Sequence, residues 1–120
     1  MKKLFFVFFV LTIIFKTNVD AQNIKFSKDN FPRDKKGLRE ANKRIKAGDR
    51  FYSIGIGRYV DALEEYIKAN NFNPNNALLN YKIGHCYLRT VDKNKAVIYL
   101  ERAHELDPKV EFNILLLLAE

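Results

Sequence analysis

From Gly37 onward, Leu38, Ala41, Ile45 and the Phe51/Tyr52 pair recur at roughly helical spacing, with Arg39, Lys43, Arg44 and Lys46 between them. That alternation makes an amphipathic helix, with one stripe for a core and one for water. The period continues down the chain and predicts about five helices, roughly 33–53, 58–71, 76–89, 93–106 and 110–120, and so an all-α fold. Ahead of them, residues 22–36 (QNIKFSKDNFPRDKK) are polar, lack sustained periodicity and are interrupted by Pro32. They read as a leader into the first helix. Both ends are apolar without alternation: Leu4 to Phe15 is an almost unbroken run behind Lys2 and Lys3, and Ile114 to Ala119 is apolar all the way round.

The punctuation between the helices repeats. ALEEYIKANNFNP at 62–74 and AVIYLERAHELDP at 96–108 agree in register, a separation of 34 residues. Position-by-position agreement at a fixed spacing is an internal repeat. Proline cannot sit in a helix interior and disfavours helical geometry in the residue before it, so Pro74 and Pro108 each stop one helix. Asn75 or Asn76 can then cap the next. Gly84 costs a helix about 1 kcal/mol relative to Ala, and close approach of a neighbouring helix explains it. Ala62, Ala69, Ala96 and Ala103, seven apart within each unit, supply the matching small surface. Upstream, Gly48 and Phe51 mirror Gly84 and Tyr87.

The Gly84, Tyr87, Ala96, Leu100, Ala103 and Pro108 series in a 34-residue unit resembles a tetratricopeptide repeat. Residues 42–74 look like a preceding repeat through Gly48, Phe51, Ala62, Tyr66, Ala69 and Pro74. The departure is SIGIGRY at 53–59, where Phe51 to Ala62 is two residues longer than Tyr87 to Ala96; this reads as an insertion in the turn, formed by Gly55 and Gly57. The resemblance implies a helix-turn-helix solenoid: repeat one at 37–74, repeat two at 75–108, and at 109–120 the first helix of an incomplete third repeat.

In that family the first helices line a groove for extended or helical peptides. Carried over, the groove positions are Ile45, Asp49 and Tyr52 from the first repeat and Leu78, Tyr81, His85 and Arg89 from the second. The family's clamp for a C-terminal carboxylate uses Lys and Asn on these faces, and Ile45 and Asp49 stand there instead, so that clamp is not implied. For each position, ordinary exposure or packing between repeats is the competing reading. A solenoid needs a polar terminal face, so the apolar surface of Ile114, Leu115, Leu116, Leu117 and Leu118 is expected to be covered, by further chain, by another protein or by self-association.

The amino terminus has the layout of a secretory signal peptide, two lysines and a short apolar stretch with Val19 and Ala21 before the expected cleavage site. An uncleaved anchor is the alternative, but a membrane span needs about 20 apolar residues. Cleavage after Ala21 removes Lys2, Lys3, Lys16 and Asp20 and lowers the net charge of +7 by two. Behind a signal peptide, NPNNALLNYKIGHCYL and DKNKAVIYLERAHELDPKV look like the N-terminal repeat region of exported bacterial envelope proteins that continue into a WD-type propeller and an OmpA-like, peptidoglycan-binding domain. The resemblance implies a location in the periplasm or at the outer membrane.

The residual charge is not concentrated enough for a nucleic-acid surface. One cysteine, Cys86, excludes an internal disulfide. Beside His85 and with His104 one helix away it invites a metal or nucleophile reading, but adjacent helix residues diverge by about 100° and zinc wants four ligands. Cys86 reads as a core residue, and Glu64 and Glu65 as a solvated face. No phosphate loop or catalytic triad stands out, so the chain is read as non-enzymatic, without cofactor, metal or small-molecule substrate. Lys35, Arg39, Lys43 and Lys46 form one basic stripe, either a solvated face or a surface for acidic protein or anionic lipid. The expected function is that of an exported scaffold docking another protein. The alternatives are a spacer or fragment of a larger envelope protein, and a lipid binder using the stripe.

Overall fold

The computed structural model describes residues 22–110. Four helices follow one another, α1 (Lys35–Ile54), α2 (Tyr59–Phe72), α3 (Ala77–Leu88) and α4 (Lys93–Leu106), and the described residues contain no strand. Each bound falls within two residues of the sequence expectation. The signal peptide expected at 1–21 lies outside the described residues, and so do residues 111–120 of the expected terminal helix, with the apolar positions Ile114–Leu118.

Local chemistry sets these bounds. The Asp34 carboxylate accepts from the Gly37 N–H at 2.8 Å and caps α1. At its other end Gly55, at φ +83°, takes a backbone conformation that side chains rarely adopt and donates its N–H to the Phe51 carbonyl. Between Asn73 and Pro74 α2 has stopped, and the Asn76 side chain accepts from the Leu79 N–H at 2.9 Å to open α3. Asp107 and Pro108 end α4 in the same way.

The extra two residues of the first unit do not lengthen the turn. Residues 55–58 and 89–92 both connect their helices in four residues, whereas α1 runs three residues past Phe51 and α3 only one past Tyr87. The added length is helix, because Gly55 rather than Ser53 supplies the positive φ that breaks it.

Consecutive helices pack on one another, α1 on α2, α2 on α3 and α3 on α4. Ala62, Ala69, Ala96 and Ala103 are all fully buried, and the two glycines sit where backbones come close. A Cβ on Gly48 would lie 2.5 Å from the Tyr66 ring, and one on Gly84 2.7 Å from Leu100. The main core gathers Ala41, Ala62, Tyr66, Ala69, Leu79, Ile83 and Cys86, and a smaller one joins Ala77, Ala103, Leu106 and Val110.

The leader is built into this core. Ile24 donates its N–H to the Asn75 carbonyl at 2.8 Å, and its own carbonyl accepts from the side chains of Asn73 and Asn76. The Asn23 side chain accepts from the Ala77 N–H, Phe26 packs on the main core, and Phe31 meets the Phe72 ring at 4.7 Å. Asn73 is 2% exposed, a buried amide that is affordable because both its ends are bonded. The asparagines around Pro74 therefore stop one helix, start the next and hold the leader.

Candidate functional site

Two polar links join α1 directly to α3. The Tyr52 hydroxyl and His85 Nδ1 are hydrogen-bonded at 2.8 Å, and Lys82 Nζ donates to the Asp49 carboxylate at 2.7 Å. Both connect residues 33 apart, so one register between the helices makes both. Asp49 also accepts from the hydroxyl of Tyr66 on α2. That gives one carboxylate on α1 two partners from two other helices, with the Lys82 ammonium 5.8 Å from the Tyr66 ring centre.

Around the Tyr52–His85 link the rings collect. Tyr59 meets Tyr52 edge-on at 5.7 Å, and Tyr81 stacks parallel to His85 with centres 6.4 Å apart. Such offset and edge-on pairs are worth about 0.5–1.5 kcal/mol beyond their burial. Burial pushes the Tyr52 hydroxyl up to about 12, so it stays protonated at neutral pH. His85 is held below the ordinary imidazole value, first by burial and then by the Arg89 guanidinium. The site presents a neutral imidazole, phenol hydroxyls, and charge from Asp49, Lys82 and Arg89.

Of the seven positions carried over, Asp49, Tyr52, Tyr81 and His85 come together here, with Arg89 close enough to act on Tyr52 and His85. Ile45 leans on the main core and Leu78 on the smaller one, where their apolar side chains serve packing. Tyr59, Tyr66 and Lys82 belong to the cluster although sequence reasoning did not select them. For Tyr66 and Lys82 no local signal marks the role, since both reach Asp49 only through the packing of three helices.

Cys86 is fully buried, and burial pushes its thiol up to about 12. It is a core group, turned away from the adjacent His85. Among the described residues no group of three or more His, Cys, Asp or Glu is placed to hold a metal ion, and no helix is long and apolar enough to cross a membrane.

No protein-family model matches the chain, and no curated protein or solved structure is similar to it. The functional reading rests on the internal repeat and on this geometry.

Proposed function

We propose that the chain is a tetratricopeptide-like interaction module that docks a partner protein against the joined face of α1 and α3. The observation that carries this reading is the pair of links from Asp49 and Tyr52 to Lys82 and His85, which sets two helices side by side with aromatic and charged groups between them. Tyrosine and arginine are the side chains on which binding energy at protein interfaces concentrates, and a face held in place before binding loses little entropy on contact. The 34-residue repeat supports the solenoid reading. The apolar run behind two lysines supports export to the bacterial envelope.

The test uses this face. Partner capture from an envelope fraction is compared between the wild-type chain and Arg89→Ala, whose guanidinium is exposed, and Tyr81→Ala, with helicity followed by circular dichroism. Loss of the same captured protein with unchanged helicity supports the reading. Equal capture by all three chains removes it.

A further inference from the structure

We propose a second docking surface, a cleft between the leader and α1 that receives an extended acidic segment of a partner protein. The cleft has a volume of about 480 Å³ and is lined by Lys28 from the leader and by Lys35, Leu38, Arg39, Asn42, Lys43 and Lys46 from α1. Five of these seven side chains are cationic and none is acidic. Of the acids on or beside α1, Glu40 pairs with Arg44 at 3.2 Å, Asp49 with Lys82 at 2.7 Å, and Asp34 caps the helix. Among the described residues the five cations have no ion-pair partner.

This surface goes beyond the α1/α3 face: none of Asp49, Tyr52, Lys82 and His85 is among its lining residues. The leader is what completes it: the bonds of Asn23 and Ile24 to the α2–α3 junction hold the segment that carries Lys28. The helix also carries a cost for the arrangement. Lys35, Arg39 and Lys43 are four apart and Lys46 three further on, and like charges at these spacings repel.

Shape and charge name the occupant. From Lys35 to Lys46 the helix rises about 16 Å, which an extended chain covers in about five residues. A cleft with buried Leu38 as its floor suits carboxylates on a narrow strand with one apolar side chain turned inward. A flat bilayer surface would meet the lysine tips only. The lining has no aromatic ring on which a base could stack.

The experiment is calorimetric titration of the full chain at low salt with the peptide Glu-Glu-Leu-Glu-Glu, acetylated and amidated so that no free carboxy terminus takes part. The peptide is expected to bind the wild type and Arg89→Ala within about twofold of each other, and the double variant Lys35→Glu/Lys43→Glu about tenfold or more weaker. The double variant should also melt at a higher temperature than the wild type, since it replaces repulsion along α1 with attraction; a surface that serves only the fold would show the opposite. No binding by the wild type, or equal binding by the double variant, overturns the proposal. So does binding of phosphatidylglycerol vesicles, lost in the double variant, without binding of the peptide.

Discussion

The α1/α2 and α3/α4 pairs repeat one architectural contact and fill it differently. In each, a helical glycine lets the backbone approach the partner helix. Gly48 rests on the ring of Tyr66, which is fully buried, whereas Gly84 rests on the half-buried branched end of Leu100. The ring brings a hydroxyl with it, and that hydroxyl bonds Asp49, which in turn binds Lys82 of the second pair. Leu100 brings no polar group. Its pair instead stacks Tyr87 on Tyr99 at 5.6 Å and leaves Val97 and Ile98 more than half exposed. The repeat sets the packing, and the residue filling it decides which pair is tied to its neighbour.

Truncating the two fillers should break this comparison most strongly. Tyr66→Ala should cost about 3–5 kcal/mol and Leu100→Ala about 2 kcal/mol, because the larger and more buried side chain leaves the larger void. Urea unfolding measures both, and equal losses would mean that the first pair has no special hold.

Adding one methyl probes the contact from the other side. Gly48→Ala meets a stiff ring, so overpacking of about 1–3 kcal/mol should exceed the gain of about 1 kcal/mol in helix propensity. Gly84→Ala meets the half-buried Leu100 side chain, with the Ala96 carbonyl oxygen at 3.3 Å. It should be milder because the only group in severe contact is an aliphatic side chain with solvent beside it. A melting temperature lowered more by Gly84→Ala than by Gly48→Ala would reverse the ranking.

Tyr66→Phe isolates the polar tie. Losing the bond to Asp49 should cost about 1 kcal/mol, and a double-mutant cycle with Lys82→Met should show coupling between the two positions. Strict additivity would show that Asp49 does not transmit between the pairs.

The smallest effect is that of His85. Its folded value lies below the ordinary one, so above the unfolded pKa of about 6.5 the folded state keeps its full stability. As pH falls through that value the unfolded imidazole takes up a proton first and stability declines, levelling once the folded group also titrates. A melting temperature that falls between neutral and mildly acidic pH, with a shallower slope in His85→Gln, is the expected result. Parallel slopes would place the titrating group elsewhere.

Much of the frame was legible in advance because its signals are local. Pro74, Pro108, Asn76 and Gly55 act on the backbone within a turn of where they stand, so four helices could be placed to within two residues. Gly84 and Gly48 announced close contacts through their cost to a helix, and the spaced alanines showed where those contacts lie. The leader was less legible. Its polar composition and Pro32 marked only a leader into the first helix, whereas Asn23 and Ile24 bond residues about fifty positions away, and no periodicity encodes such partners. The two extra residues near Gly55 were visible as a length, and only the helix bounds assigned them to α1.

By itself the sequence determined the all-α class, the ends of the helices and the small-residue contacts between them, because helix period, proline, glycine and asparagine caps act over a few residues. The tertiary structure decided which polar groups meet: Tyr52 with His85, Lys82 and Tyr66 with Asp49, and Lys28 with the stripe on α1. Those encounters depend on the relative placement of packed helices, where a rotation of one residue, about 100° on a helix, would separate every pair.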